Sequence, residues 1–178
     1  MHLEVKEIRA EDAKGIVDYF LNAHTNFLFK IGVDPNSLPN KEDWINTIIK
    51  DSEVPDSDKK NFYLIWYLND SAIGHSNINN IEFGKTAYMH LHLWDIDKRQ
   101  SGLGFSFLQL AINIYFDRFQ LQYMICEPNA KNIAPNKILN KLGFRRIKTY
   151  DTKPSLIAQY QTVSQYKLLK SEFIYLII

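Results

Sequence analysis

Cysteine is almost missing from this chain: Cys126 stands alone among 178 residues, so no internal disulfide framework is open to it. A lone thiol fits a reducing compartment. No uncharged run reaches the length that spans a bilayer. The opening residues HLEVKEIRAED lack the apolar stretch of a secretory leader. The expectation is a cytoplasmic protein without membrane contact. Charge of one sign is missing as well, with 21 Lys and Arg against 20 Asp and Glu. That balance argues against a protein that grips DNA through its phosphates. Repeats and low-complexity tracts are absent. Glycine is scarce, seven residues in all, yet two of them fall at Gly102 and Gly104.

What is present is an ordinary globular mixture, 46% hydrophobic and 23% charged. The length suits one domain over residues 1–178, large enough to bury a real core. LEVKEI alternates as a short strand, and EDAKGIVDYFLNAH carries Ile16, Val17, Phe20 and Leu21 at helical spacing. IGVDPNSLPN reads as loop, and Asn40 is placed to cap a helix in KEDWINTIIK. The acidic DSEVPDSDKK reads as a solvated loop. NFYLIWYL, SAIGHSNI and TAYMHLHLW then form three strands, and the turns LND and NNIEFGK between them suit an antiparallel meander.

A long helix follows, then LQYMICEP as a buried strand. NIAPNKILNKLGF is a helix with Asn132 at its cap position and Gly143 just past its end. RRIKTY and SQYKLL close the series. The order β-α-α-β-β-β-α-β-α-β-β implies an α/β fold, a mixed sheet with helices on its faces.

The two glycines open the long helix. Leu103, Phe107, Leu110, Ala111 and Ile114 line one side of it, and Phe105, Leu108, Ile112 and Phe116 line much of the rest. Only Gln109, Asn113 and Asp117 form a polar stripe, so the helix is mostly buried. Its first amides, from Ser101 to Gly104, sit at the positive end of the helix dipole with no side chain on Gly102 or Gly104. A phosphate could rest on that backbone, with Lys98 and Arg99 beside it. A Walker loop is excluded because no Gly-Lys-Ser/Thr follows, and a dinucleotide fingerprint is weak because residue 107 is Phe. The strand before the turn alternates Tyr88, His90, His92 and Trp94 on one face with Met89, Leu91 and Leu93 on the other. Two histidines on one side suggest a wet cleft there. His-x-His without a third ligand is thin evidence for zinc.

Arg99-Gln100-Ser101-Gly102-Leu103-Gly104, followed by EPNAKNIAPNKILNKLGF, resembles the GNAT superfamily of acyl-CoA-dependent N-acetyltransferases. Three parts carry the likeness: the R-x-x-G-x-G turn, the Glu127-to-Asn132 spacing and the Leu142-Gly143-Phe144 ending. The resemblance implies a mostly antiparallel sheet of about seven strands with helices on both faces. In it MHLHLW and QYMICE would be a splayed parallel pair admitting the pantetheine arm. Acetyl-CoA would be the co-substrate, with no metal. Trp94, Arg99, Gln100, Ser101, Gly102, Leu103, Gly104 and Asn132 would contact it, the turn cradling its pyrophosphate. A backbone N–H near Trp94, where the family's strand commonly bulges, would stabilise the oxyanion.

Glu127 stands where several branches carry a carboxylate base, and His92 is the second candidate, its ordinary pKa lying near neutrality. Many members place a tyrosine seven residues after the asparagine to protonate the leaving thiolate, whereas this chain has Leu139. Tyr150 and Tyr160 are the other hydroxyls considered. KILNKLGF is similar to the ribosomal-protein N-terminal acetyltransferases, and HLHLW with EPNAKN to the aminoglycoside and hydroxylysine acyltransferases. The acceptor is then a primary amine, on a small molecule or a protein N-terminus. HTNFLFKIGVDPNSLP would cover its cleft, and DSEVPDSD could attract a cationic amine. The alternative is a non-catalytic acyl-CoA-binding module of the same fold. A basic run, Lys131, Lys137, Lys141, Arg145, Arg146 and Lys148, reads as a solvated face. Cys126 reads as a buried hydrophobe. FIYLII, residues 173–178, is expected to be buried, on its own domain or across a homodimer interface.

Overall fold

A computed structural model describes residues 2–99 and 101–173. Gln100 of the glycine turn lies outside the described residues, as do residues 174–178, on which the expected burial or dimer contact of the C-terminal run depends. The strands are β1 (Leu3–Glu7), β2 (Asn61–Leu68), β3 (Ser71–Glu82), β4 (Thr86–Leu93), β5 (Tyr123–Cys126), β6 (Arg145–Thr152) and β7 (Gln161–Leu169). They form one seven-stranded sheet in the order β1-β2-β3-β4-β5-β7-β6. Among the described residues only β4 and β5 run parallel. Asn69 and Asp70 both take positive φ, +46° and +65°, which gives the β2–β3 hairpin the twist its strands need.

The described residues hold five α-helices, α1 (Ala10–Leu21), α2 (Thr25–Ile31), α3 (Lys41–Glu53), α4 (Leu103–Arg118) and α5 (Ile133–Lys141). α4 and α5 cover one face, where Phe107 stacks on Trp66 at 5.2 Å with the rings 4° from parallel. α4 is more buried than its polar stripe implies, because Gln109 is 3% exposed and belongs to the interior. On the other face Ile16, Val17, Phe20 and Ile48 of α1 and α3 pack on Ile65 and Tyr67. Asn40 caps α3 as expected, its side chain accepting from Glu42 N. α2 was not legible in the sequence. Its seven residues are too few to hold a helix by themselves, and packing supplies what periodicity does not.

The acidic stretch after α3 is not merely solvated. Asp56 accepts two bonds from Arg118, at 2.7 and 2.9 Å, and Glu7 takes the rest of the same guanidinium. Lys59, 3% exposed, donates to the carbonyls of Asp51, Ser52 and Val54 at the C-terminus of α3, where a cation suits the helix dipole. Along the edge strand β6, Arg145 pairs with Glu172 and Lys148 lies over the Tyr150 ring. Such an exposed, basic edge resists pairing with another sheet.

One interruption positions the site. β4 and β5 pair only through Thr86↔Tyr123, Ala87↔Met124 and Tyr88↔Ile125. Beyond Tyr88, β4 continues to Leu93 paired with β3 alone. The two strands therefore part, and a gap opens between them beside the N-terminus of α4.

Candidate active site

Gly102 is the N-cap of α4, with φ +85° and ψ −12°, and no side chain caps this terminus. The left-handed backbone explains the glycine. A Cβ placed there would meet nothing within 4 Å, so the residue faces open space. Gly104 answers a different need, because its Cβ would stand 3.3 Å from Ile138 Cδ1. That glycine lets α5 approach α4. Ser101 Oγ donates to the Lys98 carbonyl at 2.6 Å, and the Leu103 side chain is buried in the core. The first amides of α4 remain without intrahelical partners. The two cations beside the turn are engaged elsewhere. Lys98 pairs with Asp95 at 2.5 Å. Arg99 donates through Nε and Nη2 to the Leu93 carbonyl, at 3.3 and 3.1 Å, and its guanidinium lies 4.5 Å from the Phe27 ring.

The bulge expected near Trp94 is not there. The β3/β4 register runs unbroken from Asn79↔Tyr88 to Gly74↔Leu93, and Trp94 N donates to Ile73 O at 2.8 Å. Pairs with and without hydrogen bonds alternate along an antiparallel ladder. Trp94, His92 and His90 therefore bond toward β3, and Leu91 and Leu93 turn their amides toward the gap. The backbone donors suited to an oxyanion are thus those of Leu91 and Leu93, one residue out of step with the sequence expectation.

Across the gap, Glu127 follows the end of β5. Its Oε1 accepts from Tyr150 Oη at 2.5 Å and from Gln165 Nε2 at 2.6 Å, and among the described residues no donor reaches Oε2. Burial, then the hydrogen bond to Glu127, pushes the Tyr150 phenol up to about 12, so it stays a donor through the neutral range. Leu139 is fully buried, and no residue of α5 carries a hydroxyl. Asn132 sits at the N-cap of α5 but makes no capping bond, contrary to expectation. The entry to this helix is shaped instead by Asn129, whose Oδ1 accepts from Lys131 N at 2.8 Å, and by Asn136, which donates to the Asn132 carbonyl at 2.7 Å. Among the described residues the Asn132 side chain makes no hydrogen bond. Cys126 points to the opposite face as expected, and burial pushes its thiol up to about 12.

The same face as Glu127 carries a stack of imidazoles. His75, 1% exposed, accepts through Nδ1 from Trp94 Nε1 at 2.7 Å, and its ring lies 4.8 Å from that of His92. Tyr19 and Phe20 pack against His92 at 5.5 and 5.0 Å. Gly15 of α1 makes room for this arrangement, because a Cβ there would stand 3.0 Å from the Trp94 ring. Burial holds His90 to about 4, opposed by the Glu127 carboxylate. Burial, and then the charges of His90 and Arg99, hold His92 to about 3. His75 is held well below its ordinary value by burial as well.

An acid-lability prediction follows from the sign of these shifts. An unfolded imidazole titrates near 6.5, whereas the folded state keeps His90 and His92 neutral down to about 4 and 3. Unfolding therefore takes up protons in that interval. Stability is complete above pH 6.5 and declines as pH falls, by about 1.4 kcal/mol per pH unit for each imidazole. Thermal melting should hold level above pH 6.5 and drop steeply below it, with a shallower drop in His92→Gln. A melting temperature constant across this range would mean that the imidazoles are charged in the folded protein.

Of the residues singled out from sequence, His92 and Trp94 share the sheet face of Glu127, which follows β5, while Ser101, Gly102, Leu103 and Gly104 stand at the N-terminus of α4 and Asn132 at that of α5. Arg99 turns its side chain away from the turn. Gln165, His75 and the amides of Leu91 and Leu93 were missed, and only the alternation along β4 held a signal for any of them. Among the described residues, no group of three or more His, Cys, Asp or Glu side chains is placed to hold a metal ion. No helix among them is long and apolar enough to cross a membrane.

A parallel pair that parts beside a bare helix N-terminus, with a carboxylate at the end of one strand, is the architecture of an acyl-CoA-dependent transferase. The chain matches the acetyltransferase (GNAT) domain family over residues 2–145, and it belongs to that family. It matches no curated protein. Its fold is similar to that of a spermidine N-acetyltransferase from Vibrio cholerae in complex with CoA and spermine, with a TM-score of 0.78, 13% identity and coverage of 96% of each chain. It is similar to a ribosomal-protein-S5-alanine acetyltransferase from Vibrio fischeri, with a TM-score of 0.75, 18% identity and coverage of 98% of this chain and 96% of that one. An aminoglycoside acetyltransferase in complex with coenzyme A has a TM-score of 0.74, 11% identity and coverage of 96% of each chain.

Proposed function

We propose that this chain transfers the acetyl group of acetyl-CoA to a primary amine by direct attack. The observation that carries the reading is the Glu127 carboxylate, anchored through Oε1 by Tyr150 and Gln165 with Oε2 left over, on the face where β4 and β5 part. The amine nitrogen attacks the thioester carbonyl carbon, and its proton passes to Glu127 Oε2. The amides of Leu91 and Leu93 stabilise the oxyanion. The carbon–sulfur bond then breaks, and CoA leaves as a thiolate, a tolerable leaving group without a hydroxyl on α5. Glu127 is favoured over His92 because an imidazole held to about 3 accepts a proton poorly near neutral pH. In this reading Ser101, Gly102, Leu103 and Gly104 bear the pyrophosphate on their amides, preceded in the chain by Arg99 and Gln100, the Arg99 side chain being held at the Leu93 carbonyl. Asn132 and Trp94 border the pantetheine arm.

The structures of similar fold act, by name, on spermidine, on a ribosomal protein and on aminoglycosides, which supports an amine acceptor. A cytoplasmic setting belongs to the same reading, supported by the single buried cysteine. So does a homodimer built on the uncharged residues 173–178.

Calorimetric titration with acetyl-CoA tests the site. In Gly102→Val the new side chain enters open space rather than the core. The fold should lose only about 1–2 kcal/mol of left-handed strain, while affinity should fall by about tenfold or more as the amides are screened. Equal binding by both proteins would remove the turn from the site. Release of CoA thiol with a panel of amines separates the enzyme from a binding module.

A further inference from the structure

Far from the parted strands, the outer edge of the sheet is open on the face that carries Glu127. On β7, Tyr166 and Leu168 are buried with α4 and α5, whereas Gln165, Lys167 and Leu169, which alternate with them, are only half-buried. These three share the face of Glu127, because Gln165 donates to that carboxylate and side chains two residues apart point the same way. Lys167 pairs with Ile125 on one side and with Arg145 on the other, and Ile125 pairs with Tyr88. Arg145 therefore stands three strands out from Tyr88 of β4, about 14 Å away, on the last strand of the sheet.

At this edge Arg145, Arg146, Ile147, Lys167 and Leu169 line a hollow of about 390 Å³. Three of the five are cations and none is acidic. Arg145 and Lys167 stand directly opposite each other across the ladder, and facing like charges oppose strand pairing. A regular strand would turn Arg146 away from Arg145 and Ile147. The register of β6 shifts between Arg146 and Lys148, with Ile147 as the extra residue. Such a bulge re-aims the side chains around it, and here it lets three consecutive residues border one hollow. Glu172 takes the Arg145 guanidinium at 2.5 Å. Lys167 Nζ lies 3.9 Å from the centre of the Tyr123 ring. Among the described residues, neither Lys167 nor Arg146 has a carboxylate partner. Three cations less one carboxylate leave the hollow with an excess of two positive charges.

We infer that this hollow is an anion site that takes a small organic phosphomonoester. None of this depends on the acetyl-transfer reading. The excess of positive charge matches the charge of about −1.5 to −2 on a phosphomonoester near neutral pH. Arg146 brings a planar fork that suits two phosphate oxygens, and Lys167 brings a compact charge. Ile147, 55% exposed, and Leu169 give the organic part an apolar wall. The volume exceeds what a bare phosphate fills and lies in the range of small-molecule sites. A long polyanion is disfavoured, because Glu172 at one end and Asp151 further along β6 interrupt the cations.

Backbone-amide NMR on the full-length protein tests the site, with phenyl phosphate as the probe. Phenyl phosphate should shift the amides of Arg146, Ile147 and Lys167 and saturate with a Kd of about 0.1–1 mM. Phenol should shift none of them, and inorganic phosphate should bind more weakly for want of an apolar part. Arg146→Gln and Lys167→Gln should each raise Kd about threefold, and the double variant about tenfold. Should the double variant fail to fold, the two single variants carry the comparison. Lys50→Gln removes the same charge from α3 and should leave Kd as it is. The Kd should also be the same with and without acetyl-CoA. Unmoved amides at the three residues, or equal Kd in wild type and the charge-removed variants, would overturn the inference. So would competition between phenyl phosphate and acetyl-CoA, which would make the hollow part of the acetyl-CoA site. A single-stranded oligonucleotide that binds these residues and resists displacement by phenyl phosphate would overturn the small-ligand assignment.

Discussion

Glu127→Gln should lower kcat by about 10²- to 10⁴-fold, the usual worth of a positioned general base, while acetyl-CoA binds as before. The substitution is conservative where the fold is concerned. Tyr150 and Gln165 both donate to Oε1, and a carboxamide oxygen in that place accepts both bonds. Only Oε2 changes, from an atom that takes a proton to an NH₂ group that cannot. A fall in kcat with unchanged affinity by calorimetry is therefore a loss of proton transfer rather than of architecture. Tyr150→Phe is the companion variant, leaving the carboxylate ionisable but held by Gln165 alone. Its rate should fall by about ten- to a hundredfold through misplacement. If Glu127→Gln turns over like the wild type at every pH, the base lies elsewhere, and His92 is the residue left to examine.

The largest loss of stability should come from Gly74→Val. A Cβ at this position would stand 2.6 Å from His92 O, 3.0 Å from Trp66 Cε3 and 3.3 Å from Leu93 Cα. Two of the three neighbours are backbone atoms of β4, which cannot swing aside as a side chain would. Gly74 is paired with Leu93 in a position without hydrogen bonds, where facing strands come closest. The valine must therefore push β4 away from β3 or displace Trp66 from its stack on Phe107. Overpacking of this kind costs about 3 kcal/mol or more, equivalent to a fall of about 6–12 °C in melting temperature for a chain of this length. Gly84→Ala is the control: its φ is +75° but a Cβ there meets nothing within 4 Å, so only about 1–2 kcal/mol of left-handed strain applies. Similar melting of the two variants would mean that β3 and β4 part more readily than their packing implies. Activity should be lost in Gly74→Val even in the folded fraction, because the displaced segment carries the amides of Leu91 and Leu93.

What the sequence determined by itself was whatever depends on neighbours along the chain. Alternation in TAYMHLHLW put the histidines and Trp94 on one face and Met89, Leu91 and Leu93 on the other, and the two faces do pack against different helices. The spacing of apolar residues marked α1 and α4, and a capping asparagine marked α3. Turn residues marked the meander, and Gly102 and Gly143 stand at left-handed positions beside helix ends. These signals are short-ranged, and they survive without knowledge of the fold.

Only the tertiary structure decided the rest. α2 exists because Phe27 and Leu28 have something to pack on, and its length alone would not sustain it. Tyr150 meets Glu127 across 23 residues of chain, Gln165 across 38, and Gly32 meets Gln161 across 129. Trp94 is held in the ladder rather than at a bulge, because its amide already has the Ile73 carbonyl as partner. Arg99 leaves the turn for the Leu93 carbonyl and the Phe27 ring, a competition between partners that no local pattern records. Asn132 gives up its capping bond although its residue type favours one. In each case several partners of similar chemistry were open to the side chain. Which one it met was settled by where the sheet brought distant segments together.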